Sequence, residues 1–437
     1  MHLPKDKNPP GLKLRLLAAE RLRTVLGGDN FLPFTAAEIA DGRDRALANR
    51  LITTALRRHG QIDVAMGELL DRGLPKKSGS FEAVLRLSLA QLLFLPDLGA
   101  HSALFLAVEA IKADAKARHL AGLMNAVLRK AQANSARLSG LDDDLLIPQA
   151  RRRSWVETYG EANVTRFAQA LIEGAPLDLT LKTDDAELIE ALAATPLLFD
   201  SVRLEHRDRS VDALPGYAEG SWWVQDAAAA VPARLIKLAP GARVADFCAA
   251  PGGKTAQLVK AGYAVTALDA DPERMERLQQ NLARLGYAAE IAIADAGNFQ
   301  PPEKFDAVLL DAPCTATGTF RRHPEVLWHT DDRDIASRVK LQRQLLANAA
   351  RCLNPGGVLL YCVCSLESQE GEEQVRWVAE HLPDLEILPV AAEELGWLET
   401  ALRPDGTVRL HPGLALPEGT NGSMDGFFVA RFRRRGG

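Results

Sequence analysis

Cysteine is scarce in this chain, with five in 437 residues. That excludes a disulfide framework and a zinc-ribbon composition, and it makes a reduced, cytoplasmic protein the expectation. Long apolar runs are missing too. A spanning helix needs about 20 apolar residues. The longest candidate, Leu87 to Leu95, is short and interrupted by Gln91, so no membrane association is expected. The opening residues, MHLPKDKNPP, have no apolar stretch behind their basic start, so no signal peptide is expected. Disorder is excluded from the other side. Apolar residues make up 47% and charged residues 25%, the balance of an ordinary globular chain. At roughly 100–200 residues per domain, the length allows two to four domains.

The formal net charge of −5 hides an asymmetry. Residues 1–137 hold 21 Lys+Arg against 13 Asp+Glu, a balance of +8, and the rest holds 31 against 44, a balance of −13. A basic N-terminal third on an acidic chain suits a polyanionic partner. A solvated helical surface would give the same balance.

Residues 11–137 read as helical. In the stretch RDRALANRLITTALR, Leu47, Leu51, Ile52 and Leu56 fall at helical spacing, and Phe81 to Phe94 and Ala103 to Lys112 repeat the pattern. Gly60, Gly73, Pro75, Pro96 and Gly99 punctuate five to seven helices. Residues 138–150 form a polar, Pro-containing link. Beyond it, helices over Trp155–Ile172 and Asp184–Thr195 and strands at Leu177–Lys182 and Val202–Leu204 make a small α+β module. From Gly241 onward, short apolar runs (ARVADFCA, AVTALDAD, EIAIADA, FDAVLLDAPC, GGVLLYCVCS) alternate with helices over Thr255–Ala261, Pro272–Leu285 and Asp334–Leu353. This predicts a parallel sheet covered on both faces. Ligands of such sheets sit beyond the carboxyl ends of the strands, so the informative residues are at and just after each run's end.

The first run ends in Asp246-Phe247-Cys248-Ala249-Ala250-Pro251-Gly252-Gly253-Lys254. Two glycines there let the backbone approach a ligand at a helix N-terminus. The spacing is neither GxGxxG nor GxxxxGK[ST], which disfavours a dinucleotide and a nucleoside triphosphate. The second run ends in Asp269, suited to a ribose diol, and the third in Asp295, suited to an adenine amino group. Singly, each acid also fits a helix cap or a solvated turn. With the PGGK loop, together they point to a nucleoside cofactor without phosphates, S-adenosylmethionine.

The fourth run ends in Asp311-Ala312-Pro313-Cys314 and the fifth in Tyr361-Cys362-Val363-Cys364-Ser365. As neighbouring strands they would bring Cys314 and Cys364 together. No metal is expected, since no histidine lies at ligand spacing. Cys352 fits inert core packing. Two cysteines facing a methyl donor have a specific use. Carbon 5 of a pyrimidine is a poor nucleophile until a thiolate adds to carbon 6. Asp311 could hydrogen-bond or protonate the ring at N3, and the second cysteine could assist release of the first. An N-methyltransferase needs no such cysteine, and its (Asn/Asp)-Pro-Pro-(aromatic) strand end is absent.

The runs DFCAAPGGKT, DAPCTATGTFRRHPEVLW and YCVCS, and the closing Asp425-Gly426-Phe427-Phe428, resemble the RNA cytosine-5 methyltransferases of the NOL1/NOP2/Sun family over about residues 215–435. The resemblance implies that Cys364 is the nucleophile and that Cys314 serves product release. It implies cofactor contacts from Cys248, Ala249, Ala250, Pro251, Gly252, Gly253, Lys254, Asp269, Asp295 and Asp311. Arg321, Arg322 and His323 fall in its RNA-facing loop, and Gln225-Asp226 matches its QD segment. Two positions depart from the pattern: Val363 stands where Thr usually precedes the nucleophile, and Glu370-Gly371 where Glu-Asn usually follows it. Arg43 to Arg50, the Arg86 helix, AVEAIK from Ala107 and LMNAVLRK from Leu123 are similar to the NusB domain, an all-helical RNA-binding bundle. Within the family such a domain marks the bacterial small-subunit rRNA methyltransferases, which implies cytosine 967 of 16S rRNA as target.

The expected architecture is therefore multidomain: an all-α NusB-like RNA-binding domain (1–140), a small α+β module (141–230) and an α/β class I, Rossmann-like methyltransferase domain (231–437). A monomer acting on free or early-assembly 16S rRNA is expected. The target base must leave its stack to meet Cys364. Trp223, Phe320 and Trp328 are stacking candidates, and each also fits core packing. The competing readings are the same chemistry on tRNA or 23S rRNA, a catalytically idle RNA-binding scaffold, and a nicotinamide dehydrogenase. The missing GxGxxG argues against the last, and retention of both cysteines and the strand-end acids argues against the scaffold.

Overall fold

The computed structural model describes residues 9–205 and 210–436. The basic opening residues 1–8, read above for a leader, lie outside them. The chain forms two compact units. One runs to Ser154 and includes His323–His329; the other comprises Trp155–Arg322 and Thr330 to the C-terminus.

The first unit is helical. It contains α1 (Leu12–Leu26), α2 (Gly42–Arg57), α3 (His59–Leu69), α4 (Phe81–Phe94), α5 (Ala100–Ala113), α6 (Ala121–Ala133) and α7 (Ser135–Ser139). Asp41 caps α2 by accepting from the Arg43 and Asp44 amides, satisfying donors that the first turn leaves open. α4 is apolar nearly all round and is the central helix, packed among Leu22, Leu51, Ile52, Ala110 and Leu128. Its one buried cation, Arg86, is matched by Asp63 at 2.6 Å and Glu82 at 2.9 Å. The segment His323–His329 is held in this unit by its own polar groups. Glu325 Oε1 accepts from the Phe31 amide at 2.9 Å, and the Leu327 carbonyl accepts from Arg151 Nη1 at 2.7 Å.

α8 (Gln149–Tyr159) leads into the second unit, and α9 (Glu161–Glu173) follows. The sequence predicts one helix over these two. Gly160, at φ 81°, breaks it. A four-stranded antiparallel sheet comes next: β1 (Asp178–Leu181), β2 (Ala194–Pro196), β3 (Ser201–Leu204) and β4 (Trp222–Val224), in the order β2-β3-β1-β4. The helix expected over Asp184–Thr195 is only α10 (Ala186–Ala191), because Ala193 turns at φ 47° and Thr195 pairs with Arg203 of β3. β4 has too few residues to show a period, and the sequence reading missed it.

The larger sheet follows α11 (Ala227–Arg234). Its elements are β5 (Arg243–Phe247), α12 (Gly253–Lys260), β6 (Ala264–Asp269), α13 (Pro272–Leu285), β7 (Glu290–Ile293) and β8 (Phe305–Asp311). The short α14 (Val326–His329), which belongs to the helical unit, is followed by α15 (Asp332–Arg351), β9 (Leu353–Val363), α16 (Glu372–His381), β10 (Leu385–Ile387), β11 (Val408–Leu410) and β12 (Phe427–Arg434). The order is β10-β12-β9-β8-β5-β6-β7, with β11 paired on β12. β5 to β9 are parallel as expected. β12 runs antiparallel to β9, and β10 and β11 antiparallel to β12, so the sheet is mixed. β5 has β6 on one side and β8 on the other. The chain runs from β5 outward through β6 to β7 and then crosses back to β8 on the other side of β5, which opens a crevice at the carboxyl end of β5.

The α+β module shares the compact unit of the large sheet. Arg203 of β3 explains part of this. Wholly buried, it grips both carboxylate oxygens of Asp178 at 2.7 and 2.9 Å and donates to the carbonyls of Asn421 and Ser423. Removing one partner of such a pair leaves an uncompensated buried charge. Arg203→Met should lower the stability of the full chain by about 3–5 kcal/mol in urea unfolding followed by tryptophan fluorescence. The double change Arg203→Met/Asp178→Leu should cost less than Arg203→Met alone. Equal stability of parent and single variant would show the pair to be dispensable.

Candidate active site

The loop after β5 makes a tight reversal. Cys248 has φ 63° and Gly252 φ 101°, and the Ala250–Pro251 bond is cis. A Cβ on Gly252 would lie 2.9 Å from Leu278 Cγ in a conformation that L side chains avoid, so glycine is required here. Gly253 then opens α12. Lys254, buried on the first turn of that helix, donates to Asp311 Oδ2 at 2.8 Å and lies 5.0 Å from the Phe427 ring centroid. Burial opposes the ammonium charge, but Asp311, together with the neighbouring sulfurs of Cys362 and Cys364, outweighs it and raises the Lys254 pKa.

A cavity of about 480 Å³ opens on this loop. Ala249 to Lys254, Asp246 and Asp311 line one part of it, and Trp223, Gln225 and Arg284 another. Asp246 is a residue that the sequence reading passed over. Its Oδ2 accepts from Thr255 Oγ1 at 2.6 Å, while Oδ1 is buried with no partner. Burial pushes this carboxyl up to about 7, against the opposing effect of the Thr255 hydrogen bond. At the loop end of the cavity, the polar groups suit a cationic, phosphate-free ligand. The loop's one ammonium is already spoken for by Asp311, and the free oxygen at the wall is an acceptor. That matches the amino and sulfonium groups of S-adenosylmethionine better than a pyrophosphate.

The other two expected cofactor acids lie off the cavity wall. Asp269, at the end of β6, accepts from the Ala250 amide at 3.3 Å and the Asp271 amide at 3.1 Å, with Arg274 at 3.5 Å. It supports the loop from behind. Asp295 is exposed and closes its own turn, accepting from the Gly297 amide and Asn298 Nδ2, each at 2.8 Å. Burial raises the pKa of the Cys248 thiol, and the carboxylates of Asp269 and Asp311 raise it further.

β8 and β9 are paired in register, Asp311 opposite Cys362. The chain leaving each strand brings Cys314 Sγ and Cys364 Sγ to 3.5 Å. The bond to Cys364, then burial, hold the Cys314 thiol well above the ordinary thiol range. Cys362 is buried, its Sγ donating to Asp311 Oδ1 at 3.4 Å. Hydroxyls knit the two loops. Thr315 Oγ1 and Thr317 Oγ1 lie 3.2 and 3.3 Å from Ser365 Oγ, and the Gly318 amide donates to the Cys364 carbonyl at 3.0 Å. Among the described residues, no group of three His, Cys, Asp or Glu side chains is arranged to hold a metal ion.

The arginine loop differs from expectation. Arg321, expected to face RNA, is wholly buried between Asp226 at 2.5 Å and Asp425 at 2.7 Å, and it also donates to the Ser423 carbonyl. Its guanidinium is committed to the interior, where two carboxylates compensate it. Arg322 pairs with Asp425, keeps its side chain 41% exposed and lines the cavity. His323, 44% exposed, belongs to the helical unit beside Glu325. Of the aromatic candidates, Trp223 reaches the cavity, donating to Gln225 Oε1 at 2.9 Å. Phe320 is buried against Trp155 and Phe167, and Trp328 stacks on His59. Gln225 and Asp226 are structural. Gln225 Nε2 donates to Gln257, and Asp226 caps α11.

The family model for 16S rRNA methyltransferase RsmB/F matches residues 233–433, and that for the NusB family matches residues 15–133. A ribosomal RNA small subunit methyltransferase B from Xanthomonas campestris is 37% identical over 88% of this chain and 91% of its own length. The protein of the same description from Cronobacter sakazakii is 32% identical over 97% and 99%. This chain belongs to the ribosomal RNA small subunit methyltransferase B family. It is an S-adenosylmethionine-dependent methyltransferase, and its substrate is ribosomal RNA. A solved methyltransferase homologue from Pyrococcus horikoshii is 28% identical, with a TM-score of 0.55, over 67% of this chain and 98% of its own. The NSun6 structure from the same organism, at 18% identity and a TM-score of 0.55, shares the fold. No helix among the described residues is long and apolar enough to cross a membrane.

The Asp246 carboxyl gives this methyltransferase a pH signature. Its folded pKa of about 7 lies above the ordinary value of 3.8. The folded state therefore binds the extra proton, and stability is lost as pH rises through that window. Relative to Asp246→Asn, the parent should lose thermal stability between about pH 4 and 7, measured by melts across that range. A constant difference between the two would place the Asp246 pKa outside the window.

Proposed function

We propose that this methyltransferase modifies carbon 5 of a cytosine in 16S rRNA, cytosine 967, through a covalent adduct between Cys364 and carbon 6 of the ring. The reading rests on one observation above the rest: two thiols 3.5 Å apart at the ends of neighbouring strands, beside the Asp311–Lys254 pair. Methyl transfer to a ring nitrogen has no use for this arrangement.

Bound S-adenosylmethionine supplies an electrophilic methyl group. The Cys364 thiolate adds to carbon 6, and the electron density this moves into the ring makes carbon 5 nucleophilic. Asp311 in its protonated form donates to the ring at N3 as carbon 6 is attacked, offsetting the developing charge, and takes the proton back when the adduct breaks; Lys254 holds its carboxyl in place. After carbon 5 is methylated it gives its proton to a water molecule, the electron pair restores the ring double bond, the carbon 6–sulfur bond breaks and Cys364 departs as a thiolate. Cys314, 3.5 Å from that sulfur, donates its S–H to the departing charge. The loop Cys248–Lys254 holds the methyl donor, with Asp269 behind it; Asp295 contributes to the adenine end. Arg322 and His323 remain as RNA contacts. The NusB-like bundle adds phosphate attraction without sequence information. The proposal includes a monomer working in the cytoplasm on free or early-assembly rRNA, on a base turned out of its stack.

Bisulfite sequencing of unmodified 16S rRNA, 23S rRNA and tRNA, after incubation with the protein and S-adenosylmethionine, should show one protected cytosine, in 16S rRNA. Protection confined to tRNA or 23S rRNA would overturn the substrate and keep the chemistry. Cys364→Ala should abolish methylation. Residual turnover within about tenfold of the parent would remove Cys364 as nucleophile. Cys314→Ala should accumulate a protein–RNA adduct that survives denaturing electrophoresis. An adduct from Cys364→Ala instead would reverse the two roles.

A further inference from the structure

The turn after β9 departs from the family pattern at Gly371, where an asparagine usually follows the glutamate. The space is not empty. A Cβ on Gly371 would collide with Arg409 Nη2 and lie 2.9 Å from Phe428 Cγ. Arg409, on β11, is almost wholly buried, with its guanidinium 4.8 Å from the Phe428 ring centroid. Its Nε and Nη2 donate to the two Glu372 carboxylate oxygens at 3.1 and 2.5 Å, a forked pair. Its Nη1 donates at 2.6 Å to the carbonyl of Ser365, the residue that follows Cys364.

The other side of the same turn reaches the other cysteine. Glu370, wholly buried, accepts at Oε1 from the Thr315 amide at 3.0 Å, the residue that follows Cys314. Gln342 Nε2 donates to the same carboxylate at 2.9 Å and to the Pro313 carbonyl at 3.0 Å, so Cys314 is bracketed on both sides. Tyr361 Oη donates to the Glu370 carbonyl at 2.7 Å and anchors the turn to β9. Glu370 and Glu372, on either side of Gly371, therefore tie down the two thiol-bearing loops, Glu372 through Arg409.

We infer that Arg409 is a positioning residue for Cys364: packed over Gly371 and forked onto Glu372, it fixes the Ser365 carbonyl and so the placement of the Cys364 sulfur relative to Cys314. This rests on the reading of Cys364 as nucleophile. Arg409 touches neither substrate nor reacting atoms; it acts through the backbone. Nucleophilic addition is sensitive to placement, and an error of about 1 Å can cost about a hundredfold. The effect should therefore fall on kcat and spare binding.

The test uses the full chain with unmodified 16S rRNA. Arg409→Gln should lower kcat by about 10–100-fold, with KM for RNA and for S-adenosylmethionine within about twofold of the parent. It should also change the rate at which iodoacetamide alkylates Cys364, read by peptide mass spectrometry, by more than about threefold. Gly371→Asn should lower kcat similarly, because the new side chain displaces the guanidinium. The pair Gly371→Asn/Arg409→Ala should recover most of the loss, since the amide fills the vacated space. That recovery would not follow from general destabilisation. If Arg409→Gln lacks a cooperative melt, Gly371→Asn and the pair carry the test. A parent-like kcat in Arg409→Gln or Gly371→Asn, beside an inactive Cys364→Ala, overturns this inference alone. An active Cys364→Ala overturns the nucleophile and the inference together.

Discussion

The site depends on the register between two parallel strands. β8 and β9 pair with Asp311 opposite Cys362, and their carboxyl ends are level. A shift of one residue would move each side chain to the opposite face of the sheet. With the register as it is, the loops leaving the two strands start side by side, and Cys314 meets Cys364. Hydrogen bonding within a parallel sheet is uniform and does not choose a register by itself. Apolar side chains on both faces choose it: Ala307, Leu309, Val358 and Leu360 share one cluster with Val231 of α11 and Leu258 of α12, and Val308, Leu310 and Leu359 share the other with Leu345 and Leu346 of α15.

Buried charge is the second organising feature. Asp178–Arg203 and the Asp226–Arg321–Asp425 group lie in the interior of the second unit. Such groups contribute little net stability, but they are costly to disrupt. Each also donates to or accepts from backbone of the 421–425 segment: Arg203 to Asn421 and Ser423, Arg321 to Ser423, and Asp226 from the Asp425 amide. The segment that leads into β12 is thereby set against the α+β module and the loop after β8. Lys254 and Asp311 play a comparable part within the cavity. Their mutual neutralisation leaves the loop after β5 with acceptors toward the ligand and no free ammonium for phosphate.

Much of this was legible in the chain. Alternating apolar runs and helices announced the α/β sheet, and helical periodicity announced the N-terminal bundle, because both signals are local. Cys314 and Cys364 could be paired from strand order alone. Other features were out of reach for the same reason. β4 is too short to have a period, and the antiparallel β12 lies far along the chain from β9. Arg321 and Arg322 are adjacent and chemically identical, yet one is buried against two carboxylates and the other lines the cavity. Asp246 looked like an unremarked strand residue until burial left one of its oxygens without a partner.

Residue type and order were enough to determine the family and the class of cofactor, since each is written in contiguous motifs whose chemistry needs no partner from elsewhere. Tertiary structure alone decided which charges are interior, how far apart the two sulfurs lie, and that a glycine in one turn makes room for an arginine about forty residues on. Those outcomes depend on contacts between segments remote in sequence. Burial and distance, not composition, set their energies.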